Sequence, residues 1–178
     1  MSTRRGPRSL AFALIATSLV GAAWSATTTQ AAAPAVGQFD VLGPAGSERF
    51  GEKVLVLSNG NYVVADQNWD DGPTVAVGAV YLYAGATNAL LSHGTQSDDI
   101  VCRGDVRPLP NGNYVVLSPD WDHPDTTSNV GAATWGDGTT GITGPVTTTN
   151  SLHGTQTDDN VSSRGATMLT NGNYVVRS

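Results

Sequence analysis

The six-residue word Asn-Gly-Asn-Tyr-Val-Val is written three times in this chain, at 59–64, 111–116 and 171–176. A word that returns after 52 and then 60 residues marks one supersecondary unit built again and again. Other words recur between the copies in the same order. Asn68-Trp69-Asp70 answers to Asp120-Trp121-Asp122, and Gly78-Ala79-Val80 to Gly131-Ala132-Ala133. His93-Gly94-Thr95-Gln96 answers to His153-Gly154-Thr155-Gln156, each followed by a small hydroxyl residue and two aspartates. Both HGTQ words lie 18 residues before the next NGNYVV. The extra length of the second unit therefore falls ahead of its HGTQ word. There Gly136-Asp137-Gly138-Thr139-Thr140-Gly141 reads as a longer turn.

Asn-Gly between apolar runs is a strong hairpin signal, because a type I′ turn needs positive φ at both central residues. With Asn59-Gly60 as that turn, Leu57 faces Tyr62, Val56 faces Val63 and Leu55 faces Val64. The same register pairs Leu109 with Tyr114 and Leu169 with Tyr174. Pro108 and Pro110 each remove a ladder donor, so their strand is expected at a sheet edge, or with a wider loop. Residues 80–83 read as a third strand and 89–92 as a fourth. No long amphipathic helical pattern follows, and the 21 glycines gather at turns.

Four short strands in each unit predict an all-β fold of repeated four-stranded antiparallel blades, the unit of a β-propeller. The units run from about 46 to 98, 99 to 158 and 159 to 178, roughly two and a half blades where closed rings use about four to eight. The expectation is an incomplete propeller, a fragment of a longer repeat protein. A homo-oligomer that completes the ring is the alternative.

The first 25 residues read as a signal peptide with a short apolar helix. Arg4, Arg5 and Arg8 precede the apolar run 10–20, and small residues lead to Ser25. A later cleavage site within 31–35 is the alternative. The apolar run falls short of the roughly 20 residues that span a bilayer. Residues 26–37 are an Ala/Thr-rich linker, and the folded domain covers 38–178. Localisation is expected to be secreted or at a bacterial cell surface, with no membrane contact after signal cleavage. The whole chain has a formal charge of −6, and without the three leading arginines it is near −9. That speaks against nucleic acid as a partner. The single cysteine, Cys102, takes the place of Ser162 in the next unit, and reads as a small half-buried strand residue.

Arg49-Phe50-Gly51, Val63-Val64-Ala65, an acidic loop and Gly78-Ala79-Val80-Tyr81-Leu82-Tyr83 together resemble an FG-GAP repeat, the blade of the integrin α propeller. The wording LTNGNYVV, then Trp, then GA and TWG, also resembles a bacterial surface-protein repeat of unknown function. The first resemblance implies cation loops between the second and third strands.

Asp66, Asn68, Asp70 and Asp71 place oxygen ligands closely in one loop, which suits Ca²⁺. Asp120 and Asp122 are their counterparts in the second unit. Trp69 and Trp121, read as exposed beside these loops, are candidates to stack on a sugar or peptide ligand. Asp98-Asp99 and Asp158-Asp159 recur with the repeat, so they read as turn caps rather than a catalytic dyad. No nucleophile, zinc or phosphate-loop motif stands in a credible context. The expected function is a secreted or surface-displayed module for binding a protein or carbohydrate, not an enzyme. A structural spacer array is the alternative, and a propeller hydrolase or lyase lacking its catalytic blade a further one. Ca²⁺ is the one expected cofactor.

Overall fold

The structure is a computed structural model that describes residues 9–12, 38–95, 101–125 and 128–178, with backbone alone for 9–12 and 91–95. Among the described residues the strands, in chain order, are β1 (Ser9–Phe12), β2 (Phe39–Leu42), β3 (Lys53–Val56), β4 (Tyr62–Asp66), β5 (Ala79–Tyr83), β6 (Leu90–Thr95), β7 (Asp105–Pro108), β8 (Tyr114–Ser118), β9 (Ala132–Gly136), β10 (Gly144–Pro145), β11 (Ser151–His153), β12 (Ala166–Met168) and β13 (Tyr174–Val176). Among the described residues there is no helix. Most of the expected signal segment lies outside those residues. Its described part, Ser9–Phe12, is not helical but an extended strand antiparallel to Phe39–Leu42.

The repeat builds layers. In the first, β3, β4, β5 and β6 form an antiparallel meander, and β10 adds to β6 in parallel. In the second, β7, β8, β9 and β11 form the same meander. The third is the hairpin β12–β13. Strand β7 stands at its sheet edge, as its prolines require. The strand expected at 89–92 runs on through His93 and Gly94 to Thr95.

The layers pack face to face by the period-two alternation of strands. Val63, Ala65, Val80 and Leu82 of the first layer join Val106, Tyr114, Val116 and Ala132 of the second in one buried cluster. The opposite face of the second layer, with Val115, Leu117 and Ala133, packs on Met168, Tyr174 and Val176. The opposite face of the first layer, Val64, Tyr81 and Tyr83, is covered by Phe50, Val41 and Trp69. Phe50 meets Tyr81 edge-on at 5.6 Å between ring centroids.

The hairpin register differs by one residue from the expectation. Val56 pairs with Tyr62 and Leu55 with Val63, Pro108 with Tyr114, and Met168 with Tyr174. Leu57 instead pairs with Asn61, its amide donating to the Asn61 carbonyl at 2.8 Å. The Gly60 amide donates to the Leu57 carbonyl, and Gly60 has φ +87° while Asn59 does not lie at positive φ. This is a three-residue loop, a type I turn closed by a glycine in the left-handed region, not a two-residue type I′ turn. The first asparagine holds it, since Asn59 Oδ1 accepts the Asn61 amide at 3.1 Å. Asn111 and Asn171 make the same bond to Asn113 and Asn173. The second asparagine ties the turn to the loop after the third strand. Asn61 Oδ1 accepts the Gly85 amide and Asn113 Oδ1 the Gly138 amide. The Nδ2 groups of Asn59 and Asn61 both donate to the Gly138 carbonyl of the next layer at 2.8 Å. Every letter of NGN thus has a hydrogen-bonding or conformational role.

Residues 136–141 do form the expected turn, closed by the Gly141 amide on the Asp137 carbonyl at 2.8 Å. The insertion then reaches back as β10 to pair with Gly94 and Thr95. Ile142 and Val146, either side of β10, enter the cluster between the layers.

Candidate functional site

Both tryptophan–aspartate loops join the second strand of a layer to the third. In the first, Asp70 Oδ1 accepts the Ala76 amide at 2.8 Å, and the Gly78 amide donates to the Trp69 carbonyl at 3.1 Å. In the second, Asp122 Oδ1 accepts the Asn129 amide at 2.6 Å, and the Gly131 amide donates to the Trp121 carbonyl at 2.9 Å. Ala76 and Asn129 both hold positive φ, 55° and 50°. The aspartate of each word therefore pins a strained corner of its own loop. The next unit docks at this corner. The Val101 amide donates to the Val77 carbonyl, and the Val161 amide to the Val130 carbonyl. A side chain on Gly131 would lie 2.3 Å from the Val161 nitrogen.

The remaining candidate ligands point apart. Asp66 is fully buried at the end of β4. Its Oδ1 accepts the Arg49 and Asn68 amides at 3.1 and 3.2 Å. Burial raises its pKa above the ordinary carboxylate value, while those amides pull the other way. Asp71 closes a small turn through its backbone with Thr74. Asn68 enters through its amide. Asp120 pairs with Arg103. Among the described residues no three His, Cys, Asp or Glu side chains gather where a metal ion could be held.

The two tryptophans part company. Trp69 is half-buried, and its indole N–H donates to the Ala45 carbonyl at 2.8 Å. Trp121 is 0% exposed, which corrects the expectation of an exposed ring and leaves no face for a ligand to stack on. It packs against His123 and His153, whose centroids lie 5.9 and 5.7 Å away. Its indole N–H has no partner among the described residues. The His123 side of this cluster was not singled out in the sequence; its position beside the repeated Trp-Asp word was the available signal.

The second HGTQ word leaves its strand after His153 and enters a turn, whereas His93, Gly94 and Thr95 of the first lie in β6. Asp159 Oδ2 accepts the Thr155 and Gln156 amides at 2.8 and 2.9 Å, which lowers its pKa. This is the capping role expected for the aspartate pair; Asp98 and Asp99 lie outside the described residues. His153 Nδ1 lies 2.7 Å from the Gly154 carbonyl and is its donor. Cys102 is fully rather than half buried, and burial pushes its thiol up to about 12.

No curated protein and no solved structure matches the chain. Residues 56–91 and 108–163, together more than half of the chain, match a family described as a repeat of unknown function. Both segments start at the last residue of a unit's first hairpin strand; the first ends just before its HGTQ word and the second runs past its own, so the match falls on the layers themselves. This agrees with the second of the two resemblances in that it is a repeat of unknown function, and nothing among the matches supports FG-GAP. The chain belongs to the family Repeat of unknown function (DUF5650).

Proposed function

We propose that the chain is a repeat module of an exported or surface-displayed protein, and that its layers are propeller blades forming a scaffold that binds other molecules. One observation carries this reading. Among the described residues, Asp66, Asp70, Asp122 and Asp159 accept backbone amides of their own turns, and the Asp70 and Asp122 loops do so in the same way. A catalytic group would break the repeat; these obey it. Two four-stranded meanders stacked face to face, with their first strands adjacent, support the blade reading.

Two experiments test the proposal. Residues 1–37 are fused to a reporter enzyme that lacks its own signal and expressed in a bacterium. Reporter activity outside the cytoplasm supports export, and retention inside overturns it. The full chain is then immobilised and challenged with a panel of polysaccharides and extracellular proteins. Saturable binding competed by soluble chain supports the module. Silence across the panel favours a spacer array, in which the layers only set distance.

A further inference from the structure

The first strands of the two complete layers, β3 and β7, each end a sheet and lie beside one another. Between them opens a cleft of about 380 Å³. Its apolar lining comes from Leu55, Val63, Ala65 and Val106, and Lys53 and Arg107 stand among its charged groups.

The two edges offer different chemistry. Leu57 donates its amide to Asn61, and antiparallel ladders alternate every second residue. The amides of Lys53 and Leu55 therefore point to β4, and those of Val54 and Val56 point to the open edge. In β7 the same count leaves Val106 and Pro108 outward. The Val106 amide is taken by Asp105 Oδ1 at 2.8 Å, and Pro108 has none. Strand β7 is closed to a further strand, and β3 is open to one.

The charges are also unbalanced. Asp105 lies 3.6 Å from Lys53 Nζ and 2.8 Å from Arg107 Nε, so two cations share one carboxylate. Glu52, the other acid of the cleft, turns to Arg49 at 3.2 Å. With Arg49 counted, three cations stand against two carboxylates around the cleft, in a chain of net charge −6.

We propose that the cleft takes an extended acidic peptide. Its backbone adds to the β3 edge at Val54 and Val56, and a carboxylate side chain reaches Lys53 and Arg107. The inference deepens the binding reading and rests on it.

The test is nuclear magnetic resonance of the full chain titrated with acetyl-Val-Glu-Val-Glu-Val-amide, and in parallel with the same peptide carrying lysine for glutamate. The acidic peptide is expected to shift the Val54 and Val56 amides saturably. The lysine peptide should bind roughly tenfold more weakly or less, and Lys53→Met should weaken the acidic peptide roughly threefold. Val56→Pro copies onto β3 the proline that β7 carries at the matching position, Pro108, so the fold tolerates it. It should abolish binding without lowering the melting temperature. Equal binding of both peptides, full binding by Val56→Pro, or shifts centred elsewhere would overturn the cleft while leaving a binding module standing. Silence with both peptides overturns the cleft alone, since the panel of polysaccharides and proteins judges the wider reading separately.

Discussion

The first and second layers share a hairpin word and a topology but differ at the third strand. In the first layer Tyr62 stacks on Tyr83, with centroids 5.3 Å apart and planes 9° from parallel. In the second, Tyr114 is the counterpart of Tyr62 and Gly136 that of Tyr83. A side chain on Gly136 would meet the Tyr114 ring at 2.3 Å, so the ring lies across the bare glycine and is buried. Leu82 is 0% exposed because the second layer covers it, while Trp135, its counterpart, is 45% exposed beyond the reach of the two-stranded third layer. Asp66 at the end of β4 becomes Ser118 at the end of β8, and each accepts amides that lead into the layer's first strand. One word therefore fixes the hairpin, and what lies on either face of the layer selects the other residues.

The sharpest way to break this comparison is to remove the paired tryptophans. Trp121→Ala empties a fully buried site and should cost about 3–5 kcal/mol in a denaturant titration. Trp69→Ala, half-exposed and tied by one hydrogen bond, should cost about 1–2 kcal/mol. Similar losses would mean that the layers are equivalent after all. Next comes Gly136→Ala, which forces the Tyr114 ring to move and should cost about 1–3 kcal/mol. On a Tyr114→Ala background the further cost of Gly136→Ala should be smaller, because the ring it collides with is gone.

The acid response should separate the layers at smaller amplitude. Asp137 accepts the Thr139 hydroxyl and the Thr139 and Thr140 amides, which hold its pKa at about 2. A folded pKa below the unfolded one gives stability that is present above about pH 4 and lost as pH falls toward 2. Asp66 runs the other way. Its raised folded pKa makes the ionised form unfavourable, so its contribution falls as pH rises from about 4 through that value. Asp137→Asn should flatten the acid limb of unfolding midpoints measured against pH. Asp66→Asn should leave the chain at least as stable near pH 7, and a loss there would show that its charge is needed.

The smallest effect belongs to Cys102→Ser. Ser162 occupies the equivalent place in the next unit, and both residues hold positive φ. The change should cost less than about 1 kcal/mol, and the native thiol should resist alkylation until the chain unfolds. Calcium should leave the melting temperature unchanged, because Asp66, Asp70 and Asp122 already accept backbone amides.

Much of the architecture was legible because turn chemistry repeats in the letters. The hairpins, the third and fourth strands and the edge position of β7 follow from Asn-Gly, from β-branched runs and from proline. The register was not legible, since Asn-Gly suits both a two-residue and a three-residue loop. What decides is the Asn59 side chain binding the Asn61 amide, with Gly60 alone at positive φ. The role of the candidate loops was less legible for a related reason. An aspartate beside a tryptophan looks the same whether it faces a cation or an amide further along its own loop. Trp69 and Trp121 sit in similar words, and only the neighbouring layer decides how far each is covered. Strand β10 could not be read at all, because Gly144-Pro145 carries no strand preference and owes its pairing to Gly94 and Thr95.

That short pairing changes how the chain should come apart. Repeat stacks of nearest-neighbour layers tend to lose units one at a time from an end. Strand β10 leaves the second layer's connection and becomes the outermost strand of the first, so neither layer can melt without releasing the other. The first two layers should exchange their amide hydrogens with deuterium as one slow block, while the β12–β13 hairpin, which shares no strand pairing with them, opens early and alone.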